Sequence, residues 1–228
     1  MSEGLLLHHE LLLLALSDEA GTVAFGEMLT LGLGGALVTE LLLADRIGVK
    51  RDTGGFKRSW VEVRDRTPLG DPLLDEALER LATSKRRTQM SHAVSRLGNR
   101  PRLRHDVALA LCARGILRED EQRILALFRR KVYPTVNPRP EQALIRRIRA
   151  VLDGGRTPDP RTAALIALAG LTNTLRAIYD RKTLRTLKPR LKSLAESQAG
   201  SQAAREAVAA AQAAVMAATI AATAAAAS

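Results

Sequence analysis

The chain has 228 residues, of which 46% are hydrophobic and 26% charged, a composition typical of a globular protein rather than a disordered one. Its single cysteine, Cys112, excludes an intramolecular disulfide framework and a multi-cysteine metal site, and an aromatic content of 3% argues against base-stacking surfaces. The net charge of +11 favours an anionic partner: nucleic acid, a membrane surface or a phosphorylated ligand.

The order of apolar segments predicts a mainly α-helical single domain over residues 1–228, with a helical core and peripheral β-hairpins. Helices are predicted, in chain order, over residues 5–16, 28–44, 73–82, 85–97, 103–114, 141–152 and 161–179. One hairpin is predicted to pair residues 46–50 with residues 56–63. A second is predicted to pair residues 116–117 with residues 124–128 around an acidic turn at 119–121. A short strand is also predicted at residues 23–25. A basic stretch at 181–192 leads into an alanine-rich helix or tail at 200–228.

Two local signals set the expected helix ends and contacts. Asp71 followed by Pro72 is a strong helix start, because aspartate caps and proline suits the first helical position. Gly32, Gly34 and Gly35 lie inside a predicted helix, where each glycine costs about 1 kcal/mol relative to alanine. Their spacing fits no phosphate-binding loop, so we interpret them as a close contact with a neighbouring helix.

No segment has the pattern of a signal peptide or a convincing membrane span. The first apolar run lacks preceding basic residues and is interrupted by His8, His9 and Glu10. The uncharged tail at 207–228 is mostly alanine, which inserts poorly into a bilayer compared with leucine. We therefore expect a soluble, cytoplasmic protein.

The positive charge is concentrated in the middle of the chain. Residues 85–149 contain 17 Lys/Arg and 5 Asp/Glu, a net of +12, whereas the remainder has a net of −1. Such segregation favours a binding face. Within it, Arg100, Arg102 and Arg104 open a predicted helix, where guanidinium groups and free N–H groups together suit a phosphate. A solvated basic face, partly balanced by Asp106, is the alternative interpretation.

No arrangement of residues indicates catalysis. His8 and His9 are adjacent, so we expect them on different helix faces and predict no metal site. The carboxylates around Asp71 are explained by capping and the helix dipole. Cys112 is interpreted as an inert buried thiol. The sequence therefore predicts no enzyme, no cofactor and no metal.

Several segments together carry more information than any single motif. They are residues 11–25 (LLLLALSDEAGTVAF), 32–43, 67–78 (TPLGDPLLDEAL), 104–117 and 122–134. In order and spacing they resemble the Golgi phosphoprotein 3 family, and the resemblance covers most of the chain. It implies a mainly α-helical domain with peripheral hairpins. It also implies a peripheral membrane adaptor that binds phosphatidylinositol 4-phosphate and recognises the cytoplasmic tails of glycosyltransferases.

The resemblance transfers the family's lipid site only in part. The head-group tryptophan of the family falls on Gly26, and the arginine of its following helix falls on Gly34. Of its paired arginines, one falls on Arg104 and the other on Pro101. The two arginines that flank Pro101 could compensate. Binding to anionic surfaces is therefore expected, whereas selectivity for phosphatidylinositol 4-phosphate is in doubt.

The family's second hairpin serves membrane insertion and self-association. The matching residues here place apolar side chains beside basic ones, which suits contact with a membrane interface. They are Leu125, Leu127, Phe128, Arg129 and Arg130. Packing of the apolar residues on the core is an equally favoured alternative. The resemblance also implies a homo-oligomer formed through this hairpin.

These observations predict a peripheral adaptor on the inner face of the membrane, which binds anionic phospholipid or phosphoinositide and an unknown protein client. The alanine, arginine and leucine bias is typical of a high-GC bacterium, where sorting of Golgi enzymes cannot be the role. The alternative is a nucleic-acid-binding regulator, because a helix at 103–114 followed by a hairpin resembles a winged helix. The apolar composition of that helix makes nucleic acid the weaker hypothesis.

Overall fold

The structure is a computed structural model and describes residues 4–16, 26–51, 59–124 and 128–196. The described residues form eight α-helices, one 3-10 turn (Thr174–Ala177) and two antiparallel hairpins, which confirms the predicted fold class. The helices are α1 (Leu7–Ala15), α2 (Gly26–Leu43), α3 (Pro72–Ala82), α4 (Met90–Gly98), α5 (Leu103–Ala113), α6 (Arg139–Leu152), α7 (Pro160–Leu171) and α8 (Arg181–Glu196). The strands are β1 (Ile47–Arg51), β2 (Ser59–Val63), β3 (Asp120–Ile124) and β4 (Phe128–Val132).

Helices α1 and α2 occupy the centre of the fold. Every residue of α1 is buried, which explains why its sequence has no polar face. It packs against α2, α5, α6 and α7, and α2 also packs against α3 and α4. The predictions for residues 5–16 and 28–44 are confirmed, with ends that agree within two residues.

Two buried acids attach outer helices to this centre. Arg147 of α6 donates from Nη2 to Glu10 Oε2 of α1 at 2.7 Å, and Arg161 of α7 pairs with Glu40 of α2. Burial raises the pKa of both glutamates despite these cationic partners. Because a buried charge is costly without its counterion, the two arginines stabilise the packing of α6 and α7 on the core.

The glycines of α2 make the close helix contact that the sequence predicts. A Cβ atom at Gly34 would lie 2.2 Å from the carbonyl oxygen of Val94 and 2.6 Å from the amide nitrogen of Gly98. A Cβ atom at Gly98 would in turn lie 2.6 Å from the carbonyl oxygen of Thr30. The backbones of α2 and α4 therefore touch at Gly98, the last residue of α4.

The start of α3 is also confirmed. The Oδ1 atom of Asp71 accepts from the N–H groups of Leu73 and Leu74 at 3.1 and 3.0 Å, and Pro72 occupies the first helical position. Helix α6 likewise covers the predicted segment, since it runs from Arg139 to Leu152.

The first predicted hairpin is confirmed. A second hairpin is present, but the prediction assigned the wrong residues to its strands. Ile116 and Leu117 are buried in the core rather than paired in the hairpin. The acidic residues lie in β3 instead of a turn, where Glu121 is opposite Lys131 of β4. The charged side chains of this ribbon form ion pairs that are offset from the strand register: Arg129 lies 3.6 Å from Glu121, and Lys131 pairs with Glu119.

Three other boundaries differ from the prediction. Helix α4 begins at Met90 instead of residue 85, because the carbonyl of Thr88 accepts from the Val61 N–H of β2 at 2.9 Å. Helix α7 ends at Leu171, and Asn173 follows in a left-handed conformation with φ 59°. The basic stretch belongs to α8. The predicted strand at 23–25 and the tail at 200–228 lie outside the described residues.

Candidate functional site

A pocket of about 930 Å³ opens between the start of α5 and strand β4, and we call it the α5 pocket. Gly98 and Asn99 border it, so the close α2–α4 contact positions one of its walls. Its basic or titratable lining residues are Arg100, Arg102, Arg104, His105, Arg130 and Lys131, with Tyr133 beside them. The described lining residues include no carboxylate. The pocket is therefore suited to an anion.

The first turn of α5 presents both side-chain and backbone donors. Arg102 precedes the helix in a left-handed conformation with φ 62°, and both Arg102 and Arg104 are exposed. Neither arginine forms an ion pair with a carboxylate in the described part of the chain. The N–H groups of Arg104 and His105 lie in the first turn, where no intrahelical carbonyl can accept from them. These donors can bind phosphate oxygens together.

Arg100 has a different role from the one that the sequence suggests. Its Nη2 lies 2.7 Å from Glu76 Oε2 of α3, and its Nη1 pairs with Asp106 of α5. The hydrogen bond from Arg100 lowers the pKa of the Glu76 carboxyl. Both acids also raise the pKa of Arg100 itself. Arg100 therefore lines the pocket but is held by two carboxylates, and it is a poor substitute for the arginine missing at Pro101.

Strand β4 adds a further arginine to the α5 pocket. Arg130 is exposed and lines the pocket together with Lys131. Lys131 pairs with Glu119, while Arg129 lies 3.6 Å from Glu121 and does not line the pocket. Of the two predicted hairpin arginines, both of which the structure describes, Arg130 lines the pocket with Arg102 and Arg104, and Arg129 does not.

The apolar part of the membrane-contact prediction stays a prediction. Leu125 and Leu127 lie outside the described residues, and only the backbone of Phe128 is described, as the first residue of β4. The antiparallel pairing of β3 with β4 supports a hairpin at this position.

Sequence reasoning missed one contact inside the pocket. Nδ1 of His105 and the hydroxyl group of Tyr133 are hydrogen-bonded, which joins the first turn of α5 to the chain after β4. Burial raises the pKa of Tyr133 to about 12, so its hydroxyl group remains protonated at neutral pH. These two residues are 28 positions apart, and no local pattern links them.

Arg100→Gln is expected to lower the free energy of unfolding by about 1–2 kcal/mol, because charge-assisted bonds to two half-buried acids are lost. Thermal unfolding followed by circular dichroism measures this. The matched control is Arg118→Gln, whose side chain is 66% exposed and makes one contact of 3.4 Å to Asp120. That control should change stability by less than about 0.5 kcal/mol. Equal losses in the two variants would contradict the assignment.

Two expectations about single residues have different outcomes. The expectation that His8 and His9 point apart is wrong, because their rings are adjacent, with centroids 4.1 Å apart. Cys112 is half-buried against the core, and burial raises the pKa of its thiol, as expected for an unreactive side chain.

The fold and the pocket together define a mainly α-helical protein with a basic, arginine-lined pocket beside a β-hairpin. None of the described helices is both long enough and apolar enough to span a bilayer. The chain matches the Golgi phosphoprotein 3 (GPP34) family over residues 7–211 and belongs to that family. The resemblance identified from the sequence is thereby confirmed.

Proposed function

We propose that this chain is a non-enzymatic peripheral membrane adaptor that binds anionic phospholipid head groups in the α5 pocket. One observation carries the proposal: Arg102, Arg104 and Arg130 converge on one pocket, and none of them forms an ion pair with a carboxylate of the described residues, beside the N–H groups in the first turn of α5. Guanidinium groups bind phosphate through two hydrogen bonds at once. The protein would act on the cytoplasmic face of a membrane and recruit a protein client.

Family membership supports this proposal at the level of phosphoinositide and membrane association. The finer lipid preference has to come from the pocket itself. Gly34 is packed against the backbone of α4, so an arginine side chain has no room at that position. Pro101 occupies the position of another arginine of the family's lipid site. The pocket therefore provides positive charge but lacks the family's full set of head-group contacts. We therefore propose binding to anionic phospholipids in general, including phosphatidylinositol 4-phosphate.

Nucleic acid is not the proposed ligand, because α5 does not resemble a recognition helix. Its exposed residues are Arg104, Leu109 and Ala113, while its other face is packed on α1. Reading base edges requires several polar side chains along one exposed face. A single arginine does not provide them.

Vesicle flotation at low and high salt tests the proposal. The vesicles are neutral, generally anionic with phosphatidylserine, or doped with phosphatidylinositol 4-phosphate. We expect binding to both anionic kinds and none to neutral vesicles. Each engaged basic residue contributes about 1 kcal/mol near an anionic surface, and salt screens this contribution.

The outcomes separate the possible explanations. Binding to the phosphoinositide alone, unaffected by salt, would show a specific site and overturn the proposal of general charge recognition. The absence of binding to any vesicle would overturn the membrane role. A gel shift with a mixed duplex, run under the same salt conditions, should show no retention.

A further inference from the structure

Two adjacent histidines are buried where α1 begins, and most of their ring nitrogens lack partners. His8 and His9 have no exposed surface. Both ring nitrogens of His8 and the Nε2 of His9 have no hydrogen-bond partner among the described residues. The remaining nitrogen, Nδ1 of His9, is 3.4 Å from the N–H nitrogen of Leu6, a long contact. Buried polar groups are nearly always paired, so these unpaired nitrogens are candidate ligand atoms.

A carboxylate completes the cluster. Asp71, the residue that caps α3, lies with its Oδ1 3.7 Å from Nε2 of His8. One ring nitrogen of each histidine and one carboxylate oxygen of Asp71 all lie within 4.8 Å of one another. The bonds from Asp71 to the N–H groups of α3 hold its carboxylate in place. Its side chain is 13% exposed, so the cluster has a connection to solvent.

An ion pair between protonated His8 and Asp71 does not explain the arrangement. The 3.7 Å between Nε2 of His8 and Oδ1 of Asp71 is longer than a charge-assisted hydrogen bond, which is normally about 2.7–2.9 Å.

We propose that His8, His9 and Asp71 form a binding site for a divalent transition-metal ion of the zinc class. Two imidazoles and one carboxylate are a donor set typical of Zn²⁺, whereas Mg²⁺ and Ca²⁺ prefer oxygen ligands throughout. Metal–ligand bonds of about 2.0–2.2 Å would draw the three side chains slightly closer together than they are here. The ion would join the start of α1 to the start of α3, and it is independent of the lipid site.

The test uses the untagged full-length chain, stripped with a chelator and titrated with Zn²⁺ alone by calorimetry. We expect one ion per chain, a higher melting temperature with Zn²⁺ than without it, and no effect of Mg²⁺. Asp71→Asn should weaken Zn²⁺ binding by about tenfold or more, since it removes a charged ligand. Asparagine caps helices as well as aspartate, so this variant should keep its fold.

Matched controls exclude other zinc ligands. His92→Gln changes an exposed histidine on α4, and Cys112→Ser removes the thiol; both should bind Zn²⁺ like the parent chain. Co²⁺ provides a second readout, because four- or five-coordinate Co²⁺ absorbs visible light and Asp71→Asn should change that spectrum. Substoichiometric Zn²⁺ binding, or unchanged Zn²⁺ binding by Asp71→Asn, would overturn the proposal.

Discussion

The triple variant Arg102→Gln/Arg104→Gln/Arg130→Gln is expected to bind anionic vesicles on the order of a hundredfold more weakly than the parent chain. Each arginine near an anionic surface contributes about 1 kcal/mol, and a loss of about 3 kcal/mol corresponds to roughly two decades in affinity. All three side chains are exposed, so the melting temperature should stay within a few degrees of the parent value. Vesicle cosedimentation as a function of lipid concentration measures the affinity.

A second triple variant distinguishes binding through the α5 pocket from binding that depends only on the net charge of the protein. Arg146, Arg156 and Arg185 are exposed residues outside the α5 pocket, and changing them to glutamine removes the same three charges. This control should keep most of the affinity for anionic vesicles. Equal weakening by the two triple variants would mean that net charge, rather than the pocket, drives binding, and the site assignment would be wrong.

The pocket illustrates what a sequence can and cannot reveal about a basic site. The cluster of arginines at residues 100–104 is visible because the residues are adjacent in the chain. Which of them is available depends on Glu76, which lies 24 positions earlier on another helix. The sequence pattern explains Glu76 through the dipole of its own helix, and nothing local indicates that it faces Arg100. Which acidic residue pairs with a given arginine depends on the tertiary structure. Here that pairing removes Arg100 from the three predicted anion-binding arginines.

The helices could be predicted because their signals are local. The Asp71-Pro72 pair specifies the start of α3, and uninterrupted apolar runs specify that α1 and α2 are buried. The second hairpin could not be placed, since its strands consist mostly of charged residues and lack the alternation on which strand prediction depends. The apolar pair Ile116 and Leu117 resembles a strand but is buried in the core.

The adjacent histidines show a similar limit. Spacing along a helix predicts that neighbouring residues diverge, and this holds for their Cβ directions. It does not describe where the ring nitrogens lie after the side chains have rotated in a fully buried site. His8 and His9 converge because α1 is surrounded on all sides, so both rings are enclosed by the core and lie beside each other.

Gly34→Ala is expected to lower the free energy of unfolding by about 2–3 kcal/mol. Helix propensity alone would predict the opposite, a gain in stability. In an isolated helix alanine is favoured over glycine by about 1 kcal/mol. Here the added methyl group would meet the backbone of α4, with atoms of Val94 and Gly98 at 2.2–2.8 Å. Backbone cannot rotate away as a flexible side chain can, so the helices must separate, and such overpacking costs about 1–3 kcal/mol or more. The melting temperature should fall by roughly 5–10 °C.

Gly170→Ala is the matched control for this prediction. Gly170 lies near the end of α7, and a Cβ atom there would meet only a side-chain methyl group of Leu175 at 3.9 Å. That variant should gain up to about 1 kcal/mol, so the two glycine changes should have opposite signs. Melting curves of equal or higher midpoint for Gly34→Ala would show that α2 and α4 can separate without cost. Since Gly98 borders the α5 pocket, a fall in stability for Gly34→Ala should be accompanied by weaker vesicle binding, whereas Gly170→Ala should leave binding unchanged.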